Sequence, residues 1–559
     1  MTFRSNENPM FRSKFSEDIF KHKYAHEGCE TWQDLAKVLV EDVCQDVMTD
    51  EEKDALTKYV TDLKFIPGGR YLYYAGRPAK FFNNCYLLRA EEDTREDWAD
   101  LSWKAESCLM TGGGIGIDYS VYRPSDSVLG STGGVASGPI PKMEMINEIG
   151  RRVMQGGSRR SAIYASLNWQ HGDIFKYLEA KNWETMQVGK TGQSLWDIKQ
   201  DDFNFPAPLD MTNISVNYDT DWLMNYWETG DPGEVFIKNV EQALRTAEPG
   251  FSFNFFDKEN ETLRNACTEV TSEDDSDVCN LGSINLGRID DIEEFRSIVD
   301  LATKFLLCGT LRADLPYDKV KEVRKKNRRL GLGLMGMHEW LIKRGSGYEV
   351  TPELHRWLSV YRAESDRVGD SFSDGLGISR PVAKRAIAPT GSIGILAGTT
   401  TGVEPLFAVA YKRRYLKGQR WHYQYVVDGA AQELIELYGA NPDEIESAID
   451  LADNPERRIK FQADVQDYVD QSISSTINLP AWGSKLNNPD TVRSFAITLA
   501  NYAHRLRGFT VYPDGARGGQ PLVPVAYEEA VSKLGEEFQE HVETHDICDI
   551  TGKGGSCGV

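Results

Sequence analysis

The sequence predicts an α/β architecture, and three observations predict it. From Phe65 to about residue 530, short apolar runs of strand length alternate with Gly-rich turns and longer amphipathic segments. The 559 residues are 40% hydrophobic, 11% aromatic and 26% charged, which is globular composition with material for a large core. No internal repeat or low-complexity linker divides the chain. Its length therefore fits one large barrel with additions, or a few ordinary domains.

The elements follow in chain order. Residues 1–64 read as a helical region: between Glu30 and Val60 the apolar residues Leu35, Val38, Leu39 and Val43 recur at helical spacing. Asp50 is the expected cap of a further helix carrying Lys53 and Leu56. Residues 65–530 form the alternating body. Residues 531–559 are expected to be a tail, because Glu543 to Val559 is Gly-rich, weakly apolar and ends Ser556-Cys557-Gly558-Val559.

Charge and cysteine usage exclude several classes. Lys and Arg number 63 against 85 Asp and Glu, a net charge of −22, which argues against a nucleic-acid coat. No apolar run is long enough to span a bilayer, and the first residues, Met1 to Glu7, lack the apolar core of a signal peptide. Nine cysteines (29, 44, 85, 108, 267, 279, 308, 548 and 557) without a Cys-x-x-Cys pair predict a cytoplasmic, reduced protein with no structural zinc. Any chemistry they carry is thiol chemistry.

Several motifs stand out. The basic run Lys321 to Arg329 reads as a solvated face, whereas Gly150 to Arg160 is broken by Gly156 and Gly157, which allow a ligand close to the backbone. The turn Pro389-Thr390-Gly391-Ser392-Ile393 opens into an apolar run and offers free amides to a phosphate. Gly112-Gly113-Gly114-Ile115-Gly116 fails the dinucleotide-binding spacing and reads as close packing of a strand against a helix. In an extended Asn265-Ala266-Cys267-Thr268-Glu269, alternate residues would place an amide, a thiol and a carboxylate on one face. That set suits hydrogen-atom and proton transfer.

Taken in order, the motifs resemble the catalytic (large, alpha) subunit of ribonucleotide reductase. The resemblance runs through Asn84-Cys85-Tyr86, the Gly112 to Gly138 segment, Gln155 to Arg159, Asn265 to Glu269, Cys279 to Leu286, Arg329 to Gly336, the Pro389 turn with Gly402 to Pro405, Ser475 to Pro480, and Thr510-Val511-Tyr512. It implies a ten-stranded α/β barrel of two five-stranded halves, with a finger loop at about 262–282. It implies that Cys267 becomes a thiyl radical that takes the 3′ hydrogen of the ribose, that Glu269 accepts the 3′ hydroxyl proton, and that Asn265 binds the sugar. Cys85 and Cys279 would be the reducing pair and end as a disulfide. Thr390, Gly391, Ser392 and Ile393 would hold the substrate phosphates. Cys548 and Cys557 would shuttle electrons from thioredoxin or glutaredoxin, although nine residues separate them where the family usually has a close pair.

The resemblance also implies a specificity region at about 85–165. There Glu92 or Asp93, Arg123, Gln155 and Arg159 would bind a nucleoside triphosphate effector (a dNTP or ATP) and relay its identity. No activity-regulating cone precedes Cys85, so no dATP off-switch is expected. No room remains for the insertion of monomeric members, so a homodimer and a diphosphate substrate are expected, with a triphosphate as the alternative. Two radical sources stay open. Class I members use a small metal-containing radical-generating subunit and two adjacent tyrosines; here Tyr512 is followed by Pro513. Class II members use adenosylcobalamin, but usually have Pro and Gly around the radical cysteine, where this chain has Ala266 and Thr268. A catalytically silent nucleotide-binding protein of the same fold is the alternative function.

Overall fold

Strand pairing builds a closed barrel. In a computed structural model that describes residues 10–153, 161–189, 192–202, 205–417, 420–516 and 522–540, ten strands share one sheet. They are β1 (Phe65–Pro67), β2 (Cys85–Leu88), β3 (Gly114–Asp118), β4 (Ile163–Asn168), β5 (Thr212–Tyr218), β6 (Gly250–Phe253), β7 (Asp277–Asn285), β8 (Leu330–Met335), β9 (Thr476–Leu479) and β10 (Gly508–Pro513). β2 to β6 pair in parallel in chain order. β7 pairs in parallel with β8, and β9 with β10. Between β8 and β9 the segment 385–387 is bridged on both sides, Leu332 to Arg385 and Ile387 to Ile473.

Two antiparallel seams complete the circuit, β6 with β10 and β2 with β7. The result is two five-stranded parallel halves, as expected, with 385–387 as one stave. β1 lies outside the circuit, paired antiparallel with the later part of β7. Parallel neighbours need long crossovers. Helices such as Arg95–Met110, Ile140–Arg152, Gly233–Thr246 and Ile292–Arg312 supply them. They cover the strands, which explains why every residue of β3, β7 and β8 is buried.

The core lies mainly on two outer faces of the barrel. One cluster joins the N-terminal helices to the second half through Trp32, Leu35, Leu39, Phe295, Trp340 and Trp357. The other covers the first half with Ile115, Ile117, Trp222 and Phe236. The N-terminal region forms helices Lys14–Lys23, Trp32–Cys44 and Asp50–Thr61. The cap of the last is Thr49, not Asp50. Thr49 and Glu52 satisfy each other's backbone amides in a capping box, and Asp50 is the first helical residue.

The chain remains ordered past 530. Strand Glu537–Glu540 adds to a four-stranded antiparallel sheet with Ala410–Lys417, Arg420–Val427 and Leu522–Pro524. Among the described residues no helix is long and apolar enough to cross a membrane. Among them, too, no His, Cys, Asp and Glu side chains gather as a metal site.

Candidate active site

The seam between the halves sets the site. Cys85 begins β2 and faces Cys279 of β7 in register across the antiparallel pair. Directly opposed residues of such a pair have Cα atoms about 4.5–5.5 Å apart, within the span a disulfide bridges. Both thiols are reduced and buried, Cys279 fully and Cys85 to 7% exposure. Burial pushes the Cys279 thiol well up, against the pull of Arg329 and Arg324.

The finger loop runs between β6 and β7 through a short hairpin, Leu263–Arg264 with Thr271–Ser272. Its tip is a turn and not an extended strand. Thr268 N donates to Asn265 O at 2.9 Å, and Thr268 takes a left-handed φ of +69°. The expected alternation therefore does not hold: Asn265 and Glu269 are buried at the base of the turn, and Cys267 is half-buried at its crest. Asn265 Nδ2 donates to Cys85 Sγ at 3.1 Å, and its Oδ1 accepts from Val270 N at 3.0 Å. One side chain thus fixes the turn and touches the thiol pair.

Both halves of the barrel hold the finger. Asn213 of β5 donates to Ala266 O at 3.1 Å, and Ser472 N donates to Glu269 O at 2.9 Å. Arg264 is buried with its Nη2 on Asn254 Oδ1 at 2.6 Å, and its burial lowers the guanidinium pKa to about 9. Gly116 of β3 admits the loop: a Cβ there would lie 1.5 Å from Arg264 O. Gly116 therefore packs closely against the finger, whereas Gly112, earlier in the run, meets Arg70 of helix Gly69–Tyr74.

The phosphate-binding candidates start from the same place. Ala388 packs on a cluster of Leu87, Leu263, Val270, Cys279 and Leu281, which joins the thiol seam, the finger and the start of the turn. Thr390 adopts φ +53°, and its hydroxyl accepts from Gly402 N at 2.8 Å. The first helical bond is Gly394 N to Thr390 O, so the amides of Gly391, Ser392 and Ile393 lie outside the helical ladder. Lys23, from the N-terminal helix, reaches Ser392 Oγ at 2.9 Å. Ser16 donates to Ile395 O at 2.6 Å and Arg12 to Gly398 O at 2.7 Å.

In the specificity region, Arg123 pairs with Asp93 through side chain and backbone, and Glu92 is exposed beside them at the start of helix Arg95–Met110. Tyr512 is half-buried on β10. Gly508 on the same face of β10 looks towards Thr268, so Tyr512 points to the finger's side of the strand. Gln155 and Arg159 lie outside the described residues, as do Cys548 and Cys557.

Comparison with known proteins gives this arrangement a family. The ribonucleotide reductase barrel domain matches residues 83–203, 219–355 and 383–512. The chain belongs to the ribonucleotide reductase family. It is 28% identical over 529 residues to the vitamin B12-dependent ribonucleoside-diphosphate reductase of Mycobacterium tuberculosis (strain CDC 1551 / Oshkosh), covering 85% of this chain and 74% of the relative. A protein of the same description from Thermoplasma acidophilum is 27% identical, covering 88% and 70%. The fold is also that of the Actinobacillus ureae class Id ribonucleotide reductase alpha subunit, with a TM-score of 0.70 at 16% identity over 90% of this chain and 97% of that one.

Several residues of this reductase barrel had no signal in the sequence. Asn213, on β5, and Gln471, in the bend before β9, meet the finger from far along the chain; Gln471 Oε1 accepts from Thr271 N at 3.4 Å and its Nε2 donates to Leu330 O at 2.7 Å. Lys23 lies 369 positions from Ser392. The run Lys321 to Arg329 is not simply a solvated face, because Arg324, Arg328 and Arg329 turn inward and are buried. Helix Asp318–Asn327 lies on β7 and turns Arg324 inward, while its Lys321, Lys325 and Lys326 stay exposed.

Proposed function

We propose that the chain is the catalytic subunit of a ribonucleoside-diphosphate reductase that converts ribonucleotides to 2′-deoxyribonucleotides by thiyl-radical chemistry. The observation that carries this reading is the register pairing of Cys85 with Cys279 beneath a finger whose Asn265 touches Cys85. Cys267, at the crest, takes the 3′ hydrogen atom of the ribose as a thiyl radical and returns it at the end. Glu269 accepts the 3′ hydroxyl proton. The 2′ hydroxyl leaves as water with a proton from the pair. Two electrons come from closing the Cys85–Cys279 disulfide. The complete thiol set speaks against a silent nucleotide-binding protein.

The remaining roles belong to the same reading. Thr390 to Ile393 hold the substrate phosphates, and the relatives described as ribonucleoside-diphosphate reductases favour a diphosphate. Asp93 and Arg123, with Glu92, bind an effector nucleoside triphosphate, and Gln155 and Arg159 relay its identity. The protein acts as a homodimer in the cytoplasm. Cys548 and Cys557 carry electrons from thioredoxin or glutaredoxin.

The initiating radical comes from outside the chain, and adenosylcobalamin is its proposed source. Pro513, beside Tyr512, has no phenol to complete a tyrosine relay, and several relatives are named B12-dependent.

The test supplies ribonucleoside diphosphate, a dithiol and adenosylcobalamin to wild-type protein and to Cys267→Ser. Deoxynucleotide is expected only from the wild type. Turnover by the variant at the wild-type rate rejects the reading. Turnover that requires a metal-containing radical subunit instead would reject only the radical source.

A further inference from the structure

Backbone strain gathers at the candidate site. Among the described residues, ten other than glycine have a left-handed φ, and only two of those are β-branched: Thr268 at the tip of the finger and Thr390 at the phosphate turn. A branched side chain is disfavoured in that region by its own backbone, and it persists only where surrounding contacts over-determine it. Glycine would take the φ of +69° found at Thr268 without strain. Thr390 has a visible use for its side chain, because its hydroxyl accepts from Gly402 N at 2.8 Å. Thr268 has no such bond. Among the described residues its one hydrogen bond is made by its amide, to Asn265 O at 2.9 Å.

What the Thr268 side chain has is a seat on β10. A Cβ added to Gly508 would lie 3.6 Å from Thr268 Oγ1 and 3.0 Å from Ser472 Oγ, so both side chains crowd the space that this glycine leaves open. The strand beneath them is held firmly. Gly508 pairs with Ser252 of β6, and Gly508 O accepts from Gln462 Nε2 at 2.7 Å. The finger is tied on both sides of the tip, by Asn213 at Ala266 O and by the Ser472 amide at Glu269 O. Cys267 and Thr268 are the two residues between those ties, and both are half-buried. Of the two, Thr268 is the one with a fixed strand to lean on.

We propose that Thr268 is a positioning residue for Cys267: its side chain fills the gap over Gly508 and braces the crest of the turn against β10. The bulk of the side chain does this, not its hydroxyl. The brace holds Cys267 in one place through turnover, and the left-handed strain is what accompanies bulk at this position. This rests on the reading of Cys267 as the residue that attacks the ribose.

A residue needed only for folding loses stability and rate together, whereas a strained brace separates them. T268G relieves the strain and removes the bulk. Its thermal unfolding midpoint is expected within about 2 °C of wild type, because relief of strain offsets the greater freedom of glycine in the unfolded chain. Its kcat is expected to fall about tenfold or more, with KM changed by less than about twofold. Alkylation of Cys267 by iodoacetamide in the reduced protein, followed by peptide mapping, is expected to speed up about threefold or more as the crest swings free. T268V keeps the branched shape without the hydroxyl, and is expected to stay within about threefold of wild type in both readouts. Unchanged kcat or unchanged alkylation in T268G overturns the proposal, and so does T268V behaving like T268G. A midpoint that falls together with the rate in T268G assigns Thr268 to stability alone and overturns it as well. Wild-type turnover by C267S rejects instead the reading beneath the proposal, and the alkylation rates, which need no radical source, then decide whether Thr268 braces the tip.

Discussion

Gly116→Ala is expected to disable catalysis with little loss of fold. The added Cβ would sit 1.5 Å from Arg264 O, 2.7 Å from Arg264 C and 3.2 Å from Asn265 Cα. To reach an ordinary contact of 3.4 Å, strand and loop must part by about 1.9 Å. β3 is paired on both sides and cannot retreat, so the finger moves. Cys267 lies three residues beyond Arg264, on a turn pinned by Asn213 and Ser472. A misplacement of about 1 Å at a reacting atom costs about 100-fold in rate. Overpacking costs about 1–3 kcal/mol of stability. The assay pairs kcat for deoxynucleotide formation with thermal unfolding, and Gly130→Ala, where a Cβ meets nothing within 4 Å, is the control. A Gly116→Ala protein with wild-type kcat would refute the claim that β3 sets the finger's position.

Lys23→Ala is expected to raise KM for the nucleotide several-fold with a smaller change in kcat, and Lys23→Arg to restore it; steady-state kinetics decide, and an unchanged KM removes Lys23 from the phosphate site. At Glu339 burial pushes the carboxyl up, but Arg12 and Lys343 more than reverse this and bring its pKa down to about 2. The stability it contributes is complete above its unfolded pKa of about 4.5 and drains away as pH falls towards 2. Arg12→Met is expected to cost about 3 kcal/mol at neutral pH and to flatten that acid dependence, read by denaturant unfolding across pH. Cys557→Ser is expected to abolish thioredoxin-driven multiple turnovers while a single turnover survives, and rapid-quench product counts separate the two.

The sequence carried the fold class well because its signals were local. Strand-length apolar runs, glycine turns and family motifs mark β2, β3, β7, β8 and β10 directly. It carried the candidate site as residue identities and not as geometry. The alternation drawn through Asn265, Cys267 and Glu269 failed because Thr268 turns left-handed and closes the loop. Asp50 was a reasonable cap, but the box closes one residue earlier, between the side chains and amides of Thr49 and Glu52. Arg324 and its basic neighbours looked like a charged surface because nothing local says which face of helix Asp318–Asn327 meets β7. Lys23, Asn213 and Gln471 were invisible for the same reason: each acts across the barrel, where sequence spacing holds no information.

The most direct measurement of the central claim is a thiol inventory after one turnover. Prereduced protein, given an initiating radical and nucleotide but no external reductant, should yield deoxynucleotide in step with a single new cross-link between the peptides bearing Cys85 and Cys279. Product formed in full while both sulfurs remain open to alkylation would contradict the account.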